Sequence, residues 1–274
     1  KLNVIGTYNK NKKPNLIHFS LGNTESENKL LNKINKNDLI FFLSSYTDVS
    51  WIRKNKKKFE KLNIVLTKKF LFKLIKKRIK FFYFSSAEIF NGKKGFYNEN
   101  SKTNPVNFYG KLKFNIENYL KDTKYANYHI IRTGRNIEMS DEYSCMIKDC
   151  YLTLMKNNAK MAEDNLFTIT HHVDFCRAIY KIIKLVKVPK ILHVVSSHVI
   201  SRINFANIII KSSLNSKHMS YKKCKFKDID YGEKRAAKNN LDGTFTSEVL
   251  NIKYTKPEKI IKEKVKLIDK KYFK

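Results

Sequence analysis

Tyr109 and Lys113 stand four residues apart in the stretch NPVNFYGKLKFNIENYL, and the pair Ser85-Ser86 closes an apolar run, IKFFYF, upstream of them. On a helix, residues at i and i+4 share a face. A lysine ammonium one turn from a tyrosine favours phenolate and is expected to bring the phenol below its ordinary pKa of about 10. Such a phenol can deliver a proton to a carbonyl oxygen as hydride arrives at the carbonyl carbon. A strand-end serine, Ser86, can orient that oxygen by a hydrogen bond. No side chain supplies hydride, so this chemistry calls for a nicotinamide cofactor. Alone, Tyr-x-x-x-Lys is a weak signal in a chain with 15 tyrosines, and its bland reading is a half-buried tyrosine on an amphipathic helix. The succession of strand, serine exit, polar loop and capped helix favours the enzyme.

Those residues need a scaffold, and the hydrophobic pattern supplies one. Strands are expected over residues 2–7, 16–21, 39–43, 79–84 and 128–133, with helices over 25–34 and 50–77 between them. Asn104-Pro105 reads as an N-cap with proline in the first turn, opening the helix that runs to about residue 120. The run at 39–43 is continuously apolar, as in a parallel sheet buried on both faces. Alternating strands and helices predict an α/β fold with a doubly wound parallel sheet, in which ligands bind beyond the carboxyl ends of the strands. Two polar strand exits, residues 44–47 and 85–86, fall at such ends. Beyond residue 136 the pattern changes. Helices are expected at 146–157, 173–186, 201–212 and 257–271, short strands at 167–169 and 191–195, and basic loops from 214 to 240. The expected organisation is a nucleotide-binding part, 1–136, and a smaller lobe, 137–274, with elements returning to the first part.

Composition narrows the class. With 274 residues and 42% hydrophobic content the chain can bury a core. Its apolar runs are of strand length, far below the ~20 residues of a membrane helix. The four cysteines form no CxxC pair, which points to reduced thiols and a cytoplasmic setting. His171-His172, adjacent on a strand, would face opposite sides, so no metal site is expected. The net charge of +32 invites a nucleic-acid reading, but only seven of the 56 basic residues are arginine. Lysine is spread over every segment, whereas nucleic-acid grooves favour arginine interleaved with aromatics. A solvated basic surface that attracts anionic substrates fits better. No sequence feature fixes the oligomeric state, and a homo-oligomer is compatible with it.

Longer motifs carry a resemblance. Ser85-Ser86-Ala87-Glu88-Ile89-Phe90-Asn91-Gly92 is similar to S-T-D-Y-V-F-D-G, and Gly95 to Glu99 to G-x-Y-x-E. The run from Asn104 to Lys113 matches N-P-x-N-x-Y-G-x-x-K, with Glu117 at a later acidic position. Upstream, Ser44-Ser45-Tyr46-Thr47-Asp48-Val49 is similar to A-A-Y-T-x-V. Downstream, Arg132-Thr133, Ser201 to Ala206 and Arg235 to Asp242 follow R-T, S-R-Y-x-F-A and R-P-x-x-x-x-L-D. In this order, over nearly the whole chain, the sequence resembles the extended short-chain dehydrogenase/reductases, specifically the dTDP-4-dehydrorhamnose reductases and their sugar-nucleotide-binding relatives. The resemblance implies a Rossmann-like sheet, NADPH or NADH as cofactor, and a nucleotide-linked 4-keto sugar as substrate. It makes Ser86, Tyr109 and Lys113 catalytic. It assigns Ser44, Ser45, Tyr46, Thr47, Asn63 and Lys113 to the cofactor, and Ser86, Ala87, Glu88, Arg135 and Arg235 to the substrate.

The chain departs from the pattern in four places. None of its eight glycines forms the G-x-x-G-x-x-G turn that brings a helix N-terminus to a pyrophosphate. Because residues 2–7 resemble the family's second strand, a glycine-rich strand, turn and helix are expected upstream of Lys1. Ser50 and Arg53 replace acidic residues, Ala87 and Glu88 replace D-Y, and Arg135 stands where a tryptophan commonly faces the substrate. Lys10, with Lys12 and Lys13, follows the strand at which a ribose 2′-phosphate would sit, which favours NADPH. The leading expectation is a reductase. Its alternatives are an NAD-dependent sugar-nucleotide epimerase or dehydratase, and a catalytically degenerate binding or regulatory member of the same fold.

Overall fold

The computed structural model describes residues 2–45, 55–140, 145–156 and 158–272. β1 (Gly6–Tyr8) and β2 (Leu16–His18) pair in parallel as a small sheet of their own. α1 (Thr24–Leu31) begins where the Asn23 side chain accepts from the Ser26 amide. β3 (Leu39–Phe42) follows, and then α2 (Lys56–Glu60), which passes through a π-helical turn, Lys61–Leu66, into α3 (Thr67–Lys76). β4 (Lys80–Ser86), α4 (Phe108–Asp122) and β5 (Tyr128–Thr133) come next. β6 (Arg135–Ile137), α5 (Met146–Leu154), β7 (Lys160–Ala162), β8 (Leu166–His171) and α6 (His172–Lys184) lead to β9 (Ile191–His193). The remaining elements are β10 (Val199–Ser201), α7 (Arg202–Ser212), β11 (Lys222–Cys224), α8 (Thr244–Leu250) and α9 (Pro257–Tyr272).

β3, β4, β5 and β9 form one parallel sheet in that order. Strand side chains alternate between faces, and β4 shows why its sequence is apolar throughout. Phe81 and Tyr83 pack with Phe70, Leu71 and Leu74 of α3 and with Ile116 and Leu120 of α4. Phe82 and Phe84 pack on the other face with Ala178 and Ile182 of α6 and Leu250 of α8. Each phenylalanine so buried contributes roughly 1.5–3 kcal/mol over its exposed state. Helices on both faces make this a Rossmann-like, doubly wound α/β sheet.

A second core lies between α5, α7 and α9, where Ile147, Tyr151 and Leu154 meet Phe205, Ile209, Ile260 and Val265. It packs against the three-stranded sheet β10-β8-β6, while β7 and β11 form a parallel pair. α6, β9 and α8 return to the first sheet. Among the described residues no helix is long and apolar enough to cross a membrane.

Two local expectations change. The helix bearing Tyr109 starts at Phe108, capped by Asn107 rather than Asn104, because the Asn107 side chain reaches the Gly110 amide at 2.7 Å. The stretch from 214 to 240 also contains more structure than its basic, loop-like composition announces, with β11 within it.

Candidate active site

β4 delivers Ser86 to the carboxyl edge of the sheet. There its hydroxyl accepts from the Glu88 amide at 3.3 Å and caps a single 3-10 turn, Ala87–Ile89. α4 sets Tyr109 against this exit with only 9% of its surface exposed, near enough to the Ser86 hydroxyl for that group to hold the phenol's pKa down. One turn on, Lys113 is buried, its Nζ donating to the Phe84 carbonyl at 2.8 Å. That ammonium lies 5.1 Å from the Tyr83 ring centroid and 5.8 Å from that of Tyr109. The strand exit and the helix face thus bring together the three residues that the spacing singled out.

The electrostatics differ from what spacing alone suggests. The Tyr109 phenol is pushed up to about 12, first by burial and then by the Glu88 charge, against the opposing effect of the Ser86 hydroxyl. Lys113 is driven down to about 7 by burial, and the Glu117 carboxylate only partly counters this. Desolvation disfavours both charged forms, so the lowering of the phenol expected from the Tyr-Lys spacing is reversed. A phenol that keeps its proton near neutrality is in the form that can donate it.

Glu88 holds the site's framework together. One carboxylate oxygen accepts from the Asn107 amide at 2.6 Å and the other from the Asn239 amide at 2.8 Å. Asn107 is also the N-cap of α4, so the strand exit, the start of the helix bearing Tyr109 and a distant loop meet at one side chain. Gly110 makes the close approach feasible: a Cβ there would stand 2.1 Å from the Glu88 carbonyl oxygen.

The other wall is arginine-rich. Arg135 lies on β6, Arg202 opens α7, and Arg235 sits on a loop fixed to the turn at Gly92, where φ is +71°. A Cβ on Gly92 would lie 2.6 Å from the Ala236 Cα, and Lys238 donates to the Gly92 carbonyl at 3.1 Å. The guanidinium carbons of Arg135 and Arg202 stand 5.4 and 4.9 Å from the centroid of the same ring, Phe167. That of Arg235 stands 4.9 Å from the Tyr231 centroid. The Nε atoms of Arg135 and Arg235 are buried without a hydrogen-bond partner. Arg132 is different in kind: it is buried and paired through two bonds, of 3.0 and 2.8 Å, with Glu117.

A model of the RmlD substrate binding domain matches residues 5–269. The chain belongs to the RmlD substrate binding domain family. A dTDP-4-dehydrorhamnose reductase from Clostridium acetobutylicum is similar in structure, with a TM-score of 0.75 and 21% identity over 90% of this chain and 86% of that one. A hypothetical dTDP-4-dehydrorhamnose reductase from Sulfolobus tokodaii gives 0.76 and 22% over 93% and 88%. A dTDP-4-dehydrorhamnose reductase from Bacillus anthracis, solved in complex with NADP, gives 0.72 and 17% over 86% and 83%. No curated protein sequence matches the chain.

Within this RmlD-type fold, the remaining expected residues sort by position. Ala87 is buried in the turn beside Glu88. Ser44 is exposed just past β3, and the Ser45 hydroxyl donates to the Asn63 side chain at 3.2 Å. Asn63 is buried in the π-helical turn. Lys10 is exposed in the turn between β1 and β2, on the two-stranded sheet rather than the four-stranded one. Tyr46 and Thr47 lie outside the described residues, as do Ser50 and Arg53.

Residues at the β4 exit fit the nicotinamide-ribose end of a dinucleotide. The Ser85 hydroxyl is buried without a partner, and the Lys113 amine stands beside the Tyr109 ring. Asn107, Asn239 and Arg202 were not singled out by sequence reasoning. For Arg202 a signal existed in the rarity of arginine and in the run Ser201 to Ala206, and for Asn107 in its place within N-P-x-N-x-Y-G-x-x-K; Asn239, in a chain where asparagine is common, had only its place between Arg235 and Asp242.

Proposed function

We propose that the protein is an NAD(P)H-dependent reductase of a nucleotide-linked 4-keto sugar. The observation that carries this reading is the convergence of three residues: Ser86 at the β4 exit, the buried Tyr109 of α4, and Lys113, bonded to the Phe84 carbonyl of β4 and 5.8 Å from the Tyr109 ring centroid. A bound reduced nicotinamide would supply hydride, which no side chain can. Ser86 orients the substrate carbonyl, and Tyr109 gives its proton to the carbonyl oxygen. Lys113 holds the nicotinamide ribose, while Ser44, Ser45, Tyr46, Thr47 and Asn63 line the cofactor and Lys10 favours NADPH. Arg135, Arg235 and the Ala87-Glu88 turn face the substrate. The division at residue 136 separates the cofactor-binding part from the lobe that supplies most of the substrate wall.

The test is Tyr109→Phe, assayed by NAD(P)H oxidation with a dTDP-linked 4-keto-6-deoxyhexose. Loss of a positioned general acid lowers turnover by roughly 10²–10⁴-fold, with cofactor affinity unchanged. Full turnover in that variant refutes the mechanism.

A second reading, a sugar-nucleotide epimerase or dehydratase, draws on Glu88, a carboxylate close enough to raise the Tyr109 pKa. It offers a second proton acceptor at the same carbon framework. Tightly retained NAD with no net consumption of reduced cofactor selects it.

A further inference from the structure

Tyr83 is a buried phenol to which the proton transfer gives no part, yet it lies nearer the Lys113 ammonium than Tyr109 does. The Nζ atom stands 5.1 Å from the Tyr83 ring centroid, against 5.8 Å for Tyr109. That Nζ also donates to the carbonyl of Phe84, the next residue of β4, at 2.8 Å. One dipeptide of the strand therefore meets the ammonium twice, with a ring and with a carbonyl. Both neighbouring strands hold the ring in turn. Tyr83 is in register with Phe42 of β3 and Ile130 of β5, and it stacks on Phe42 with centroids 6.4 Å apart and planes 23° from parallel. Tyr83 is 3% exposed and Lys113 6%, so water screens the contact little. An aromatic face attracts a desolvated cation more strongly than an exposed one. The charged and titratable groups about Lys113 come from several elements. Tyr83 faces it from β4 and Tyr109 and Glu117 from α4; Arg132 of β5 and Lys121 of α4 both pair with Glu117, and Glu88 acts on Tyr109. Burial, Tyr109 and Glu117 raise the Tyr83 pKa well above its ordinary value. Tyr83 thus keeps its proton and is no second acid; what it brings to Lys113 is its ring.

We propose that Tyr83 is a positioning residue for Lys113, its ring being the seat that holds the ammonium against the Phe84 carbonyl at the β4 exit. The role of that ammonium at a nicotinamide ribose rests on the reductase reading; the seat itself does not. A lysine amine is a point charge on a flexible stem, and a single carbonyl fixes its reach but not its direction. A ring face on a second side removes that freedom. The face also favours the charged amine, in the same sense as Glu117 and against burial. Phenylalanine at position 83 would pack in the same core, beside Phe42, Phe81 and Ile116, and would offer a similar face. The seat therefore requires the ring and not the hydroxyl.

The experiment follows the Lys113 side chain by NMR in the full chain, isotope-labelled at lysine Cε, with Lys113→Arg identifying its signal. The pH titration of that signal is compared in the wild type, in Tyr83→Phe, in Tyr83→Met, and with ring-fluorinated phenylalanine placed at position 83. Fluorine keeps the shape of the ring while weakening its negative face, so this last variant is expected to fold even where Tyr83→Met does not. Tyr83→Phe is expected to titrate as the wild type does. Tyr83→Met, which loses the ring, is expected to titrate lower by about one pH unit, the equivalent of one buried cation–π contact. The fluorinated ring falls between them. A fluorinated ring that titrates as phenylalanine does overturns the proposal, because a role in packing alone is blind to fluorine. A displaced titration in Tyr83→Phe overturns it too, by giving the role to the hydroxyl. Turnover with NAD(P)H and a keto sugar is read alongside. Loss of a fixed ammonium lowers kcat on the order of 10-fold or more in Tyr83→Met, with the KM for the sugar little changed, and Tyr83→Phe restores it. A titration that follows the ring in a protein that reduces no keto sugar removes the proposed reaction and leaves the seat standing. Turnover that depends on Tyr109, with a titration indifferent to the ring, does the reverse.

Discussion

Glu88 and Asn107 are joined by a 2.6 Å hydrogen bond in which the asparagine amide donates to the carboxylate. The same asparagine caps α4 through the Gly110 amide, so one side chain ties the strand exit to the helix that carries Tyr109. Asn107→Ala removes the cap and leaves a carboxylate oxygen of Glu88 without its donor. The expected cost is about 1–3 kcal/mol, read as a lower urea midpoint, together with a drop in kcat larger than the change in KM. Unaltered stability and turnover would show that the bond positions nothing.

Gly110→Ala probes the same junction sterically. The added Cβ would meet the Glu88 backbone carbonyl at 2.1 Å, a contact that movement of the backbone on one side or the other must relieve. A shift of about 1 Å at a reacting group costs on the order of 10²-fold in rate. The variant is expected to fold, to bind cofactor, and to turn over about that much more slowly. A wild-type rate would mean that the turn after Ser86 yields instead.

Lys113 makes a prediction about pH. Its folded pKa, about 7, lies below its ordinary value of 10.5 because of burial. Between those values the unfolded chain binds more protons than the folded one, so stability rises with pH across that window. Below about pH 7 the folded protein carries a buried ammonium, and its penalty is complete there. Above about 10.5 the penalty has gone. Unfolding free energies measured for the wild type and Lys113→Met at intervals from about pH 6.5 to 9.5 should converge as pH rises. Parallel curves would exclude a strongly depressed lysine.

The buried pair of Arg132 and Glu117 supports the site from below. Both side chains are essentially inaccessible, and Arg132 also donates to the Glu99 carbonyl at 3.2 Å. Glu117→Gln leaves a buried guanidinium among neutral partners, the glutamine amide, the Glu99 carbonyl and His193. Breaking such a pair from one side costs about 3–5 kcal/mol, measurable by chemical denaturation. Loss of less than about 1 kcal/mol would indicate solvent access to Arg132.

Sequence made the parallel sheet and the serine-tyrosine-lysine set legible because both depend on short spacings. β4 is apolar at every position from Phe81 to Phe84 since both of its faces are covered. Tyr109 and Lys113 share a helix face at any helix start. The cap was misplaced by three residues, since Asn104-Pro105 and Asn107 are both plausible starts. The choice between them is made by Gly110 packing under Glu88, a contact between distant segments. The sign of the Tyr109 shift was lost for a related reason. Spacing reports a neighbouring charge but not the burial that outweighs it. The arginine wall draws on β6, α7 and the loop of Arg235, whose meeting is a property of the tertiary fold alone.

The contact between Gly92 and Ala236 bears on how a ligand is received. With backbone against backbone there, Lys238 bonded to Gly92, and Asn239 bonded to Glu88, the loop carrying Arg235 is fastened to the segment that follows β4 at three points. It cannot swing clear as a lid without breaking them all. Capture at this wall is therefore accommodation in a preformed seat, with little ordering left to be done when the ligand arrives.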